Sequence, residues 1–474
     1  MSASGHSRPS TLADVETDVK IIEQVLPEGS VDPVYQARAE LLNDTIQRMG
    51  MGKYQWHLFI VTGFGWLADI LWIVVAGIIL APIIQEFKVQ GPFLSLSTNI
   101  GLLVGAMGWS AGSDVWGRKV SFNITLAIVG VFAMVAAASP NFTALAIFAA
   151  LWSVGVGGNF PVDSAIFLEF LPATHQWLLT VLAIWGAFGA LIASLVAWAI
   201  LPNFSCEATV VECKRSDNMG WRYYLILMGG LMIVLWILRF FVFTLHESPK
   251  YLMGRGKLRE AVAVIHAIAE YNNCDATLTV EQLEEAGTSR VLEDTKDQDG
   301  QDPLRPPAMD TSAWGLSQNR GAAYGDGSVY ITYRNNVIIG LVALPAAPFG
   351  CVAIPTYAGT SLTDLIGTVS SIDRCISLFE YYSTNFKCPA RVELWVMWAA
   401  LYTVTPELFP TKARGTGNGL ASSANRVFGV MSPIIALYAD LTTEIPIFVS
   451  GALFIFAGIV ALLLPFESRG KASL

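Results

Sequence analysis

Apolar blocks of nearly uniform length, separated by short polar turns, make up most of the chain. A helix needs about 20 residues to cross roughly 30 Å of hydrocarbon, because it rises about 1.5 Å per residue. The pattern therefore predicts an all-α integral membrane protein. Six blocks of the first half predict spans at 58–81, 93–111, 121–139, 142–161, 177–201 and 222–244.

The second half of the chain is less regular. Four blocks predict further spans at 335–357, 392–405, 417–439 and 445–465, whereas 358–389 carries five charged residues and predicts a poor span. Ten spans are expected, and an eleventh is left open. The predicted domains are a cytosolic segment at 1–50, a six-helix bundle at 51–245, a cytosolic linker at 246–333, an incomplete second bundle at 334–466 and a cytosolic tail at 467–474.

Two polar segments flank the first bundle. Residues 1–50 are acidic and lack the basic-then-apolar pattern of a cleavable signal peptide, so insertion is expected to start from the first span. The stretch Lys257–Tyr271 repeats apolar residues at helical spacing and predicts a surface helix. The remainder of the linker is rich in Asp, Gly and Pro and predicts disorder.

Composition supports a membrane environment. The chain is 53% hydrophobic and only 14% charged, with a mean hydropathy of +0.51, which excludes an ordinary soluble globular protein. The net charge of -9 resides largely in the polar segments and says little about a substrate. The apolar blocks make lipid an expected partner. No basic tract is present, so nucleic acid is not expected as a partner.

Lysine and arginine in the short loops set the predicted orientation, since such loops stay in the cytosol. Arg118 and Lys119 follow the second block, and further basic residues follow the sixth block and mark the later turns. Placing them in the cytosol puts both chain termini inside. The loop after Asn203 then lies outside, although Lys214 and Arg215 in that loop count against this orientation.

The six cysteines show no metal-like spacing, and neither a metal site nor a cofactor is expected. Cys206 and Cys213 share one polar loop with a glycosylation sequon that begins at Asn203. A disulfide between these cysteines and a pair of free thiols remain equal alternatives.

Between the second and third blocks the chain reads GSDVWGRK, from Gly112 to Lys119. A tight glycine turn there lets Arg118 lie near Asp114 and a helix end, as a charge latch between spans. A basic turn without a latch is the alternative. The stretch resembles the cytosolic loop signature of the major facilitator superfamily. That signature has a Gly where this chain has Ser110, and Gly112 is the candidate replacement.

Two further stretches, HESPKYL from His246 and PFESRG from Pro465, resemble the span-end signatures of the sugar porter branch. EFLP from Glu169 and ELFP from Glu407 repeat one pattern in the two halves, which is typical of a transporter built from two similar bundles. The resemblance implies a cytosolic latch of Gly112, Asp114, Gly117, Arg118, Lys119, Glu169, Glu247, Arg255, Glu407, Arg414 and Glu467.

The stretch from Gly52 to Asp69 looks like the first span of the synaptic-vesicle-glycoprotein-like group and its fungal relatives. The resemblance implies the major facilitator two-bundle fold, whose template has twelve spans. The seventh and ninth of these are missing or garbled here. The chain is therefore expected to be either a rearranged relative that has lost transport or the product of an imperfect gene model.

Charges inside the bilayer are costly and are functional candidates. Asp69 and Asp163 are candidates for proton coupling, with a packing role as the alternative for each. Glu169 is expected to pair with a basic latch residue. Arg426 is interpreted as the only deep cation, which binds an anionic solute, pairs with a carboxylate or snorkels to the cytosolic face. The aromatic substrate candidates, for which packing is the alternative, are Trp66, Trp72 and Trp185.

The patterns and the resemblance together imply a monomeric secondary transporter of the plasma membrane, which moves a small organic solute with protons by alternating access. The fifth span lacks the Gln and Asn amides of sugar porters, which disfavours a hexose. A transport-inactive sensor or scaffold that signals through 273–330 is the alternative. An enzyme is not expected, because the sequence shows no catalytic Ser/His/Asp set, metal-ligand cluster or phosphate loop.

Overall fold

The structure, a computed structural model, describes residues 33–89, 92–175, 177–206, 213–294, 333–334, 337 and 414–438. These residues are largely helical and include no β-strand. The spans expected at 335–357 (apart from residue 337), 392–405 and 445–465 lie outside the described residues. So do the seventh and ninth spans of the template, Glu407, Glu467 and the predicted tail.

Six of the described helices are long and apolar enough to cross a membrane, which confirms the six spans predicted in the first half. They are α2, α3, α4, α5, α7 and α8 of the following series. The helices are α1 Pro33–Met49, α2 Lys53–Phe87, α3 Phe93–Trp116, α4 Arg118–Ala136, α5 Phe142–Phe170, α6 Leu178–Val181, α7 Ala183–Phe204, α8 Gly220–Ile237, α9 Pro249–Gly254, α10 Leu258–Asn272, α11 Val280–Asp294 and α12 Arg414–Tyr438.

The helices extend beyond the predicted apolar blocks where polar residues continue the helical backbone. Helix α2 has 35 residues, which corresponds to about 52 Å and exceeds the hydrocarbon thickness. Gln55 caps the N-terminus of this helix, because its Oε1 accepts a hydrogen bond from the Gly52 N–H at 3.1 Å. The fifth span begins later than predicted, at Ala183, since the short α6 and a turn precede it.

The two ends of the bundle carry different chemistry. The latch end is the end where α3 meets α4, beside Glu247, and where α2 begins. The disulfide end is the opposite end, where α7 and α8 are joined through the loop of Cys206 and Cys213. Each consecutive span runs in the opposite direction to the one before it.

Helix α5 is the centre of the bundle and packs against α2, α3 and α4. Two hydrophobic cores surround it. The core toward the disulfide end includes Leu71, Trp152 and Tyr224, and the core toward the latch end includes Leu58 and Phe167, all of them essentially buried.

A small helical layer covers the latch end. The linker after Tyr271 was expected to be disordered, yet residues 280–294 form α11, which packs against α1. Their contact buries Leu42, Ile46 and Leu283 together with residues of α9 and α10. The apolar residues of α1 recur at helical spacing within a polar sequence of only 17 residues, so hydropathy alone did not reveal them.

Tyr333 corrects the predicted boundary of the cytosolic linker. Its hydroxyl donates to the Ile78 carbonyl at 3.2 Å, and its side chain belongs to the core toward the disulfide end. Residue 333 was expected on the same side as α9 and α10. It lies instead beside the part of α2 that is nearer the disulfide end. Its side chain is buried there, with 5% of its surface exposed.

Helix α12 is the part of the second half that the structure describes in full. It confirms the helix expected at 417–439 and packs along α3, with a smaller contact to α5. Its first residues lie at the latch end, where Thr416 contacts Asp114. The helix thus joins the second half of the chain to the first along one side of the bundle.

Candidate functional site

A buried ion pair connects the first span to α12. Arg426 Nη2 lies 3.1 Å from Asp69 Oδ1 and 3.4 Å from Asp69 Oδ2. The two side chains are 6% and 1% exposed, respectively. Of the three roles expected for Arg426, the structure shows the pairing with a carboxylate. The pair joins residues separated by 357 positions in the sequence, one in each half of the chain.

Two further polar contacts hold α12 against the first half closer to the latch end. The Thr416 N–H and hydroxyl both donate to Asp114 Oδ2, at 2.7 and 2.6 Å. The Asn418 side chain donates to the Pro161 carbonyl at 3.2 Å. The Pro161 carbonyl lies within α5, so this bond attaches α12 directly to the central helix of the bundle. The latch end of the α3–α12 seam is therefore closed.

The latch residues of the first half form a connected cluster. Arg118 Nη1 lies 3.0 Å from Glu169 Oε1, and Arg118 Nη2 lies 3.5 Å from Asp114 Oδ1. Glu247 Oε1 accepts from the Arg118 N–H at 2.9 Å, at the N-terminus of α4. A carboxylate there satisfies unpaired N–H groups and complements the helix dipole. Gly117 has a φ of 99°, which other residues rarely adopt.

Four more latch candidates lie among the described residues. Arg255 Nη2 donates to the Asp114 carbonyl, whereas the Lys119 side chain is exposed and contributes its backbone N–H to Glu247 at 3.5 Å. Gly112 lies inside α3 and is not the turn residue. Arg414 begins α12.

Another buried ion pair lies within the first half, and the sequence interpretation had missed its cation. Arg239 Nη2 lies 2.5 Å from Asp163 Oδ2, and both side chains are fully buried. Arg426 is therefore not the only deep cation. Arg239 was overlooked because it sits in the aromatic run at the end of the sixth block, where the local hydropathy is high. Arg239 Nη1 also donates to the Phe122 carbonyl at 3.0 Å.

A further ion pair lies at the disulfide end. Arg222 Nη2 lies 2.6 Å from Glu86 Oε1. Glu86 Oε2 also accepts from Trp221 Nε1 at 2.9 Å and from Asn218 Nδ2 at 3.2 Å. The Arg222 guanidinium stacks 4.0 Å from the Trp221 ring. This cluster ties the end of α2 to the start of α8, and sequence reasoning had not singled it out.

The tryptophan candidates lie in aromatic packing contacts. The Trp66 ring lies 4.0 Å from Phe160, and the Trp72 ring lies 5.3 Å from Trp152. Trp185 is half-buried and contacts the Phe64 ring edge-to-face at 6.1 Å. These contacts match the packing alternative for each residue.

The loop at the disulfide end contains the two cysteines that were left open. The structure joins Cys206 to Cys213 by a disulfide. Asn203 is exposed on the last turn of α7, and its side-chain N–H donates to the Ala199 carbonyl at 2.9 Å. Within the described part of the chain, no group of three or more His, Cys, Asp or Glu side chains is arranged to hold a metal ion.

His246 lies at the latch end and has an altered proton affinity. Burial, and secondarily the positive charge of Lys119, lower the pKa of its imidazole. Its ring lies 5.8 Å from the Tyr54 ring, and its backbone N–H donates to the Tyr54 hydroxyl at 3.2 Å. Neutral imidazole is therefore favoured at this contact between the first span and the α8–α9 connection.

Comparisons with known proteins agree with this architecture. The family described as "Sugar (and other) transporter" matches residues 85–292. The MFS siderochrome iron transporter 1 of Ceriporiopsis subvermispora is 44% identical over 94% of this chain and 94% of its own length. The synaptic vesicle 2-related protein of Xenopus laevis is 23% identical over 97% of this chain and 87% of its own.

Solved structures show the same fold. The proton:xylose symporter XylE, bound to 6-bromo-6-deoxy-D-glucose, superposes with a TM-score of 0.63 over 89% of this chain and 98% of its own, at 17% identity. The all-α two-bundle fold expected from the sequence is thereby confirmed. With six apolar spans among its described residues, its cross-half contacts and a 44% identical relative, the chain belongs to the major facilitator superfamily of multi-pass membrane transporters, in the sugar-porter-like branch.

Proposed function

We propose that the chain is a secondary active symporter that moves a small organic solute together with protons across the plasma membrane, with both termini in the cytosol. The observation that carries this proposal is the buried Asp69–Arg426 pair between the two halves. A carboxylate in this position gains or loses a charge in a low-dielectric setting, so its protonation changes the attraction between the halves strongly.

Alternating access gives the pair its role. When a proton binds an Asp69 oxygen, the carboxylate becomes neutral and the ion pair with Arg426 is lost. The Asp114–Thr416 contact then holds α12 with less support, and the latch end opens. Loss of the proton restores the pair and closes that end. The two halves thus move only in step with a proton.

The orientation is supported by the positions of the basic residues. Arg118, Lys119 and Arg255 cluster at the latch end, where the positive-inside rule places the cytosol. The disulfide and the exposed Asn203 lie at the opposite end, which suits an oxidising exterior.

For the solute, Arg426 supplies the main chemical constraint. Once Asp69 is protonated, the positive charge of the guanidinium attracts an oxygen-rich group, to which arginine can donate hydrogen bonds. The similar transporter of C. subvermispora carries siderochrome iron in its name, and ferric siderophores are oxygen-rich chelates. We therefore propose a ferric trihydroxamate siderophore without a net positive charge as the first probe and D-xylose as the second.

The test is probe-driven proton uptake in proteoliposomes, followed with an internal pH dye. The wild-type chain is expected to take up protons with the probe, and Asp69→Asn is expected to lose this uptake. The exposed loop carboxylate Asp217 offers a matched control, and Asp217→Asn is expected to behave as wild type. Undiminished proton uptake by correctly folded Asp69→Asn would remove Asp69 from the coupling role.

A further inference from the structure

The Asp163–Arg239 pair has no part in the cross-half contact, since both residues belong to the first half. Asp163 is not the only group that stabilises the positive charge of Arg239. Its Nη1 donates to the Phe122 carbonyl, and its guanidinium carbon lies 3.2 Å from the centroid of the Phe122 ring. A cation with these additional partners remains accommodated when its carboxylate becomes neutral. Asp163 can therefore change protonation without leaving a wholly unsupported arginine.

Gly65 shows where Asp163 lies relative to Asp69. A Cβ on Gly65 would overlap Asp163 Oδ2, so this carboxylate occupies the space of the missing side chain. Asp69 follows Gly65 by four residues on the same face of α2, about 6 Å along the helix axis. The two carboxylates thus lie about one helical turn apart, with Asp163 nearer the latch end.

Asn159 lies between the levels of these two carboxylates. It precedes Asp163 by one turn of α5, which runs antiparallel to α2, so it is displaced from Asp163 toward the level of Asp69. Its Cβ lies 3.3 Å from the Cβ position of Gly65. Asn159 is fully buried, and within the described residues neither its amide nitrogen nor its amide oxygen has a hydrogen-bond partner. A buried amide that is both donor and acceptor calls for a polar partner there.

We propose that Asn159, Asp163 and Arg239 form a proton-relay site, in which Asp163 receives the proton that Asp69 releases toward the cytosol. This inference rests on the proposed function. The O–H bond on Asp69 breaks, and an O–H bond forms on Asp163 through a water that the Asn159 amide holds. Asp69 regains its negative charge and pairs with Arg426. Asp163 becomes neutral until it passes the proton to cytosolic water and pairs again with Arg239.

The competing role for the pair is purely structural, in which it fastens α5 to the end of α8. The two roles differ in one observable. A structural Asp163 stays ionised throughout, whereas a relay Asp163 becomes protonated in the same pH range as Asp69 and senses its charge. Asn159 is a positioning residue in the relay and has no role in the structural alternative.

Infrared difference spectroscopy of the full chain in lipid, stepped from alkaline to acidic pH, tests the relay with the proton itself as the probe. We expect two buried carboxylic-acid bands, of which Asp163→Asn loses one and Asp69→Asn loses the other. Ser164→Ala, next to Asp163 and equally buried, is the matched control and is expected to keep both bands. Asn159→Leu, which leaves both ion pairs intact, keeps the relay testable if Asp163→Asn fails to fold.

The relay predicts that Asp69→Asn shifts the midpoint of the Asp163 band, because the charge of Asp69 acts through space. It also predicts that Asn159→Leu keeps this shift but slows the appearance of the Asp163 band after the pH step. A single buried band that only Asp69→Asn removes would overturn the relay and leave the proposed function standing. Two bands whose midpoints ignore each other would also overturn the relay. Absence of any titrating buried carboxyl would overturn both proposals.

Discussion

The Asp69–Arg426 and Glu86–Arg222 pairs are both buried, yet their surroundings differ. Glu86 accepts hydrogen bonds from Arg222, Trp221 and Asn218, all of which follow it in the same half. Asp69 binds a single guanidinium nitrogen of α12 with both of its oxygens. One carboxylate is thus held by several fixed donors, and the other by one donor on a helix of the other half.

This difference separates two uses of buried charge. A pair within one bundle survives every conformation that keeps that bundle rigid, so its many hydrogen bonds stabilise the fold. A pair between bundles must break whenever the bundles part, so few bonds and a titratable partner are an advantage. We therefore propose that Glu86–Arg222 serves stability and that Asp69–Arg426 serves the transport cycle.

The largest effect is expected for Arg426→Gln. Removing one partner leaves the Asp69 charge buried without compensation, which costs about 4 kcal/mol of stability. The double variant Asp69→Asn/Arg426→Gln is expected to recover most of that loss but no proton coupling. The free energies of unfolding of the wild type, the two single variants and the double variant in detergent measure this coupling as a double-mutant cycle. Additive losses in the double variant would show that the two residues do not depend on each other.

Glu86→Gln is expected to cost about 3 kcal/mol, since Arg222 loses its carboxylate but keeps the Trp221 ring. The folded fraction is expected to retain proton-coupled uptake. Unfolding in detergent measures the loss of stability, and proton uptake in proteoliposomes measures the coupling. A Glu86→Gln chain that folds normally and has lost coupling would erase the distinction between the two pairs.

Thr416→Val probes the second contact between the halves. The substitution removes the hydroxyl donor to Asp114 and keeps the backbone N–H, so about 1 kcal/mol of support for the closed latch end is lost. A roughly five-fold shift toward the open latch end follows. Alkylation of a reporter cysteine in that seam measures the shift. Unchanged alkylation would mean that the Thr416 hydroxyl contributes nothing to closure.

The smallest effect concerns His246, whose folded-state pKa is lowered by burial and by Lys119. Above about pH 6.5 the imidazole is neutral in both folded and unfolded chains. Below that pH the unfolded chain takes up the proton first, so stability falls on acidification. His246→Gln is expected to flatten this fall, with the exposed His57→Gln as the control. Equal acid sensitivity of wild type and His246→Gln would contradict the assignment.

Sequence patterns captured the features that depend on local composition. The six spans follow from the length of the apolar blocks, and Asp69 was singled out because a carboxylate within such a block is costly. The partners of these charges could not be predicted in the same way, since Arg426 lies 357 residues from Asp69. Packing of the helices alone brings them together.

The overlooked features share a different cause. Arg239 is masked by the aromatic residues around it, and α1 is masked by a polar composition that hides its apolar stripe. In each case the average over a window dominates over the one face that is buried. A helical-periodicity search of residues 33–49 would have found α1, whereas the Arg239–Asp163 pairing needed the three-dimensional structure.

The central claim is that the charge on Asp69 keeps the latch end closed. Ser110 is 2% exposed and lies against Gly419 of α12, so Ser110→Cys, in a chain whose other free cysteines are serine, reports on that seam. Adding Asp69→Asn, which mimics the protonated carboxyl, is expected to raise its alkylation rate roughly tenfold or more, since a buried pair exceeds about 1.4 kcal/mol. An unchanged rate would contradict the account.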